Sequence, residues 1–261
     1  MINKDTIAGT FFVALILCLV CSVFVSIAAV GLKDRQEANK VLDKRKNILI
    51  AASLLDNPAG ADRAEVNRIF QERVTPRVLD IATGMYTDSI DAATFDQKKA
   101  AKDPSLSIAI PSGEDKAKIK RRSKYALVYE IKDSSGNFVM VVLPVHGKGL
   151  WSTMYGFLAV DKNGNTVNGL GFYSHAETPG LGGEIDNPNW KALWPGKELY
   201  KDGSVAIEVV KGHAPKGDLY KVDGISGATI TARGVGHLVR YWVGKGGFEK
   251  YLNRLRGGLN G

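Results

Sequence analysis

The longest apolar stretch of the chain lies near its start, from Ile7 to Leu32, and contains no charged residue. An α-helix rises about 1.5 Å per residue, so this stretch is long enough to cross a hydrocarbon core of about 30 Å. A cleaved signal peptide is the alternative, because small residues occur at positions 26–29, but its apolar region normally spans only about 7–15 residues. We therefore predict a retained transmembrane helix at residues 7–32, preceded by an N-terminal tail of residues 1–6.

The segment after the apolar stretch mixes helical periodicity with polar sequence. An apolar stripe predicts a helix at 36–55 and a shorter one at 64–74, which Pro76 ends. Residues 87–124 are polar, charged and interrupted by prolines, which indicates irregular structure. We expect residues 33–124 to form a helical and irregular connecting region packed on the soluble domain.

From Tyr125 onward, short runs of β-branched and aromatic residues alternate with turn residues, a pattern typical of strands. Four runs form two pairs, each pair enclosing glycine and asparagine: 125–131 with 138–145, and 154–160 with 166–174. The Asn163-Gly164 pair in the second turn is a strong hairpin signal. The sequence therefore predicts two consecutive β-hairpins.

The rest of the chain combines loops, helices and one more strand. A glycine-rich loop at 177–184 precedes a short helix at 188–193, a strand at 205–210, a helix at about 228–243 and a tail beyond Gly246. Hairpins interrupted by helices, without βαβ spacing, predict an α+β fold with a largely antiparallel sheet and flanking helices. We assign this domain to residues 125–261.

Composition and charge narrow the functional classes. Hydrophobic residues make up 44% and charged residues 24% of the chain, as in ordinary globular proteins, and the formal net charge is +8. The basic runs at 33–46 and 116–124 lack interleaved aromatic residues, so we expect no nucleic-acid binding but solvated faces or contact with acidic lipid. Lysine and arginine are more frequent after the apolar stretch than before it, which by itself favours a cytoplasmic domain.

The chain offers no obvious catalytic constellation. Its two cysteines, Cys18 and Cys21, both lie in the apolar stretch, where they are either small apolar fillers or ligands of a cluster shared with another subunit. The four histidines are scattered, and we interpret each as solvated or structural: His146, His175, His213 and His237. We predict no catalytic residue and no metal site within this chain.

Unusual chemistry is concentrated where the last long helix begins. The segment Asp223-Gly224-Ile225-Ser226-Gly227-Ala228-Thr229 brings small and hydroxyl residues to the predicted start of that helix. The first turn of a helix carries unpaired N–H groups and partial positive charge, so it favours a phosphate. Hydroxyls of Ser226, Thr229 and Thr231 are available in the sequence. The alternative is an ordinary cap, with Asp223 or Ser226 bound to the free N–H groups.

The glycine-rich loop is the second candidate. Glycines in the stretch from Thr178 through Gly180, Leu181 and Gly182 allow the main chain to lie against a flat ligand, which Leu181 would cover. A plain turn between a strand and a helix is the alternative. The spacing of the glycines does not fit a dinucleotide fingerprint.

These motifs resemble those of a known family. The segment ending at Thr229 resembles the flavinylation motif of the FMN-binding domain family, in which a flavin transferase links the phosphate of FMN to the final threonine. The apolar stretch, the sequence around Trp151, the glycine-rich loop and the motif follow one another as in C subunits of sodium-translocating NADH:quinone oxidoreductases. G subunits of Rnf electron-transport complexes are the alternative, but the longer insert before the sheet and the stretch 211–215 favour the former.

The chemistry of the residues suggests the site contacts around Thr229, and the resemblance implies the attachment to Thr229 and a function. It implies a subunit that passes electrons through covalent FMN during NADH:ubiquinone oxidoreduction coupled to sodium export, with the other subunits of the complex and the flavin transferase as partners. A membrane-anchored FMN-binding regulatory module is a further alternative. The phosphate end involves Ser226, Gly227, Ala228 and Thr229, and the ring is expected near Trp151, Thr178, Gly180, Leu181, Gly182 and Lys211.

The resemblance implies a periplasmic domain, whereas the lysine and arginine residues that flank the apolar stretch favour a cytoplasmic one. In the family the flavin domain faces the periplasm, where the transferase works. We therefore expect a single-pass protein of the bacterial inner membrane with a periplasmic domain, against the count of lysine and arginine.

Overall fold

A computed structural model describes residues 6–55, 57–58 and 60–258 of the chain. The chain divides into two compact units, residues 1–43 and 44–261. The apolar stretch lies within one helix, α1 (Ile7–Ala51), which is the one helix in the described ranges long and apolar enough to cross a membrane. The prediction of separate helices at 7–32 and 36–55 was wrong, because no glycine or proline interrupts the sequence between Leu32 and Ala51.

The second unit is built on a six-stranded antiparallel sheet, as the α+β prediction expected. The strand order is β2-β1-β5-β6-β7-β8. Its strands are β1 (Val74–Asp80), β2 (Met85–Tyr86), β5 (Tyr125–Lys132), β6 (Phe138–Lys148), β7 (Thr153–Asp161) and β8 (Val167–Ser174). The two predicted hairpins are thus confirmed as β5–β6 and β7–β8, with β6 and β7 also paired.

Short strands and helices surround this sheet. Three two-stranded pairs join β3 (Ser107–Ala109) to β4 (Arg121–Ser123), β9 (Tyr200–Lys201) to β10 (Ser204–Val205), and β11 (Glu208–Val209) to β12 (Lys221–Val222). The helices are α2 (Arg63–Arg73), α3 (Gln97–Ala100), α4 (Pro188–Lys191), α5 (Thr229–Val243) and α6 (Glu249–Arg256), with a 3-10 helix at Gly182–Asp186.

Both faces of the sheet are covered. Because successive side chains of a strand point to opposite faces, Leu143 and Val145 of β6 face α5 and share a core with its Leu238 and Trp242. The opposite face carries Tyr129, whose ring lies 6.3 Å from Phe70 of α2 and 5.7 Å below the Lys44 ammonium. Helix α5, with the predicted FMN attachment point at its first residue, is therefore fixed against the centre of the sheet.

Three local predictions were wrong. The connecting region was expected to be helical and irregular, but its residues 74–80 form strand β1, even though they contain Pro76. The expected strand at 205–210 is divided between β10 and β11, which pair with different partners. The expected tail beyond Gly246 contains α6, whose Tyr251, Leu252 and Leu255 are buried.

The buried imidazole of His146 gives the fold a pH dependence. Its ring stacks on Tyr155 at a centroid distance of 5.4 Å and lies 4.9 Å from the ring of Trp242. Burial and, to a smaller extent, the nearby Lys98 charge lower the pKa of His146 to about 4, although the Asp115 charge opposes this shift. The unfolded chain therefore binds the proton more tightly, so protonation favours unfolding.

We expect the free energy of unfolding to fall as the pH decreases from about 6.5 to about 4, by up to about 1.4 kcal/mol per pH unit from this group. His146→Gln removes the titrating group and should flatten that part of the profile. Urea unfolding of both proteins in detergent between pH 4 and 8 measures the difference. Parallel profiles for the two proteins would show that His146 does not cause the dependence.

Candidate functional site

The start of α5 is an uncapped helix terminus. No side chain described in the structure bonds to its first-turn N–H groups, and the first turn contains no acidic residue. Gly227, just before it, has φ +72°, a left-handed conformation that favours glycine. The alternative of an ordinary cap by Asp223 or Ser226 is therefore not what the structure shows. The amides remain available to an anion.

The three hydroxyls near this terminus differ in accessibility. Thr229 and Ser226 are exposed, whereas Thr231 is 1% exposed. The Thr231 hydroxyl donates a hydrogen bond to the Glu177 carboxylate at 2.5 Å. The structure thus leaves Ser226 and Thr229 as accessible hydroxyls and removes Thr231.

Asp223, the first residue of the motif, holds a neighbouring loop. Its carboxylate accepts hydrogen bonds from the backbone N–H of Ala214 at 2.8 Å and from Nδ1 of His213 at 2.7 Å. These two bonds, in that order, lower the pKa of Asp223. Its carbonyl accepts a third bond from Nε1 of Trp190 at 2.9 Å. Asp223 therefore fixes residues 213 and 214 beside the motif.

The glycine-rich loop meets the start of α5. Leu181 is 46% exposed, and its Cδ2 lies 3.1 Å from where a Cβ on Gly227 would stand. Gly182 is buried, and a Cβ there would stand 2.7 Å from the Thr231 hydroxyl. Thr178 and Gly180 are exposed on the same loop. The two predicted motifs are therefore in contact.

The Glu177 carboxylate joins three segments at this point. It is 5% exposed and accepts bonds from the backbone N–H groups of Leu150, Trp151 and Ser152 at 3.0–3.1 Å, from the Ser152 hydroxyl at 3.3 Å, and from Thr231. Burial raises the pKa of Glu177, but the bonds from Thr231 and the backbone amides outweigh it and leave the pKa below its ordinary value. Sequence reasoning missed this residue.

Large apolar side chains are exposed around the same point. Trp151 is 66% exposed, Leu150 45% and Ile230 57%, in addition to Leu181. Trp151 is placed here because its own N–H is bound by Glu177. Clustered exposed apolar surface marks a ligand or partner site.

A basic cavity of about 520 Å³ lies on the other side of Thr229, between α5 and residues 208–212. Lys211 lines it together with Thr229, so the structure places Lys211 beside the start of the motif, on the cavity side. The remaining basic lining residues are Lys116, Arg233, His237 and Arg240, with Glu208 as an acidic one. Arg233, His237 and Arg240 follow Thr229 at helical spacing, a signal that sequence analysis did not use. Lys116, distant in sequence, gave no such signal.

No group of three or more histidine, cysteine or acidic side chains in the described ranges is arranged to hold a metal ion. Cys18 and Cys21 are both free and exposed on α1. The chemistry of the second unit is therefore that of an anion-accepting helix start beside an apolar surface. This arrangement fits a ligand with a phosphate at one end and an aromatic ring at the other.

Comparison with known proteins gives the class to which this fold and site belong. Residues 149–244 match the family model of the FMN-binding domain, and this range contains the glycine-rich loop, the motif and all the cavity-lining residues except Lys116. The chain is similar in structure to the crystal structure of Shewanella oneidensis NqrC, with a TM-score of 0.77, 37% identity, and coverage of 85% of this chain and 100% of that one.

Full-length relatives define the family more narrowly. The chain is 48% identical to the C subunit of the Na(+)-translocating NADH-quinone reductase of Pseudomonas aeruginosa, over 99% of each chain. It is also 48% identical to the corresponding C subunit of Vibrio anguillarum, again over 99% of each. The chain belongs to the family of Na(+)-translocating NADH-quinone reductase C subunits. The predicted resemblance is confirmed, and the Rnf alternative is not favoured.

Proposed function

We propose that this chain carries electrons through an FMN attached by a phosphoester to Thr229, within a membrane complex that couples NADH:ubiquinone oxidoreduction to sodium export. The observation that carries the proposal is the difference in accessibility between Thr229, the last residue of the motif, and Thr231, two residues after it. Thr229 presents an exposed hydroxyl at the uncapped start of α5, while the Thr231 hydroxyl is buried and bound to Glu177.

The residues around Thr229 suit the phosphate end of the cofactor. A phosphate that is esterified to both riboflavin and Thr229 keeps one negative charge. The free N–H groups of the first turn of α5 stabilise that charge. Gly227 and Ala228 let the phosphate approach the main chain, and Ser226 adds an exposed hydroxyl. Lys211, which we expected near the ring from the sequence, lines the cavity on the other side of Thr229, so we assign its positive charge to the phosphate end instead.

The flavin ring of FMN would lie on the side of Thr229 that faces away from the cavity. Leu181 and Trp151 offer exposed apolar surface, and Thr178, Gly180 and Gly182 belong to the loop that carries Leu181. FMN supplies one- and two-electron chemistry, which the surrounding charges and hydrogen bonds tune. A covalent bond to the chain keeps the carrier in place over many electron transfers.

The proposed location is the bacterial inner membrane, with α1 as a single-pass anchor and the second unit in the periplasm. The apolar window of α1 has a mean hydropathy of 2.9, and none of it is buried. The partners are the other subunits of the complex and the flavin transferase. The periplasmic orientation rests on the place where the transferase works in this family.

The experiment that tests the proposal is intact-mass measurement of the denatured full-length chain, made with and without the flavin transferase. We expect the added mass of one FMN in the first sample and none in the second. In-gel flavin fluorescence should follow the same pattern. A chain that stays unmodified in the presence of active transferase would refute the covalent attachment.

Leu181 provides a separate test of the ring position. Leu181→Ala removes the apolar side chain that contacts Gly227, so we expect a shifted flavin absorption band or midpoint potential with attachment intact. Leu219→Ala is the matched control, because Leu219 is 48% exposed and lies outside the site. If Leu181→Ala leaves both spectrum and potential as in the parent protein, the ring does not contact Leu181.

A further inference from the structure

We propose that Glu177 is the positioning residue of the flavin site, and that its negative charge makes the flavin harder to reduce. This inference rests on the proposed function, because the effect on reduction needs a flavin attached at Thr229. Glu177 immediately precedes Thr178 in the glycine-rich loop. Its carboxylate also contacts residues 150–152 and Thr231, so it connects the three segments that carry the candidate ring and phosphate residues.

The positioning role follows from the hydrogen bonds. The carboxylate accepts from the amides of residues 150–152, which places Trp151, and from Thr231, which lies two residues after Thr229. Side chains at two neighbouring glycines would collide with it: a Cβ on Gly149 would stand 2.6 Å from one oxygen, and on Gly182 3.0 Å from the other. Trp151, the glycine-rich loop and the start of α5 are thus held by one group.

The electrostatic role follows from the missing counter-charge. None of the ion pairs formed by the described residues involves Glu177, so its charge is balanced by N–H and O–H dipoles alone. Because Glu177 is only 5% exposed, water screens the charge of its carboxylate poorly. A flavin gains negative charge on reduction, and an anion close to it disfavours that gain. The midpoint potential is therefore lower than it would be beside a neutral side chain.

The charge is tested on the full-length, flavin-bearing chain by spectroelectrochemical titration. Glu177→Gln removes the charge at nearly constant size, and we expect a more positive midpoint potential. Glu177→Asp keeps the charge and should remain near the parent value. Glu198→Gln makes the same change of net charge at a carboxylate bound to the Tyr220 hydroxyl at 3.0 Å, and should leave the potential unchanged.

The positioning role is tested without flavin, by amide hydrogen exchange of the chain made without the transferase. The amides of residues 150–152 should exchange about tenfold faster or more in Glu177→Gln, because a hydrogen bond to a charged acceptor is lost or weakened. Unchanged exchange there would overturn the positioning role.

The two proposals fail in different ways. A parent chain that carries no flavin on Thr229 refutes the proposed function, whereas the exchange experiment still decides the positioning role. With flavin attached, an unchanged potential in Glu177→Gln overturns the electrostatic role. An equal shift in Glu177→Asp or in Glu198→Gln overturns it as well.

Discussion

Replacing Thr229 by alanine is expected to abolish covalent flavin completely, with loss of both the in-gel fluorescence and the added mass of one FMN. The reason is chemical, because a phosphoester needs a hydroxyl and Thr229 supplies the exposed one at the first position of α5. The fold should be unaffected, since the substitution removes exposed atoms and alanine favours helices. Intact mass and far-ultraviolet circular dichroism of the full-length variant measure the two effects.

Two neighbouring hydroxyls give the controls. Ser226→Ala removes the other accessible hydroxyl, and Thr231→Val removes the buried one, yet attachment should persist in both. Thr231→Val should in addition destabilise the fold by about 1.5–3 kcal/mol, because it deletes a hydrogen bond to a charged group. Thr229→Ser keeps a hydroxyl but loses the methyl that restricts its rotamer, so partial attachment is expected. Covalent flavin mapped to Ser226 or Thr231 in Thr229→Ala would refute the assignment.

The features that the sequence predicted correctly are those with local signals. The turn residues Gly136 and Gly164, each between alternating apolar runs, gave both hairpins, and both have positive φ in the structure. Helix α5 could be predicted at about 228–243 because its apolar positions recur at helical spacing over four turns. In the structure it spans Thr229–Val243. The glycine-rich loop and the motif were located from composition and resemblance.

The features that the sequence did not predict depend on contacts between distant residues. Strand β1 contains Pro76, which argues against a strand in general. However, β2 covers only Leu79 and Asp80, so β1 is an edge at Pro76 and the missing N–H is tolerated. Helix α6 is short and polar in sequence, and Tyr251 is anchored by a hydroxyl contact of 2.5 Å with Tyr86, far away along the chain.

The same limit applies to the site. Glu177 belongs to the predicted glycine-rich loop, but nothing local showed that its carboxylate accepts bonds from residues 150–152 and from Thr231. These partners lie some 25 residues before it and 54 residues after it. A buried acceptor of this kind is defined by the fold, and sequence spacing alone does not reveal it.

The second large effect concerns the far end of α5. Trp242 is fully buried, its ring stacks on Phe248 at 5.2 Å, and its Nε1 donates to the carbonyl of His146 at 2.7 Å. Trp242→Ala removes this contact area and leaves both a cavity and an unpaired carbonyl. We expect a loss of about 3–5 kcal/mol in the free energy of unfolding, a large part of the total stability of a domain.

Trp151→Ala is the matched control, because it makes the same chemical change at a side chain that is 66% exposed. We expect Trp151→Ala to change the free energy of unfolding by no more than about 0.5 kcal/mol. It should instead change the absorption spectrum of the bound flavin. Trp242→Phe retains most of the ring but loses the donor to His146, and should fall between the two. Urea unfolding in detergent, followed by circular dichroism, gives all three values. A cost for Trp242→Ala no greater than that for Trp151→Ala would mean that α5 is held to the sheet by other contacts. The position of Thr229 would then not depend on this anchor.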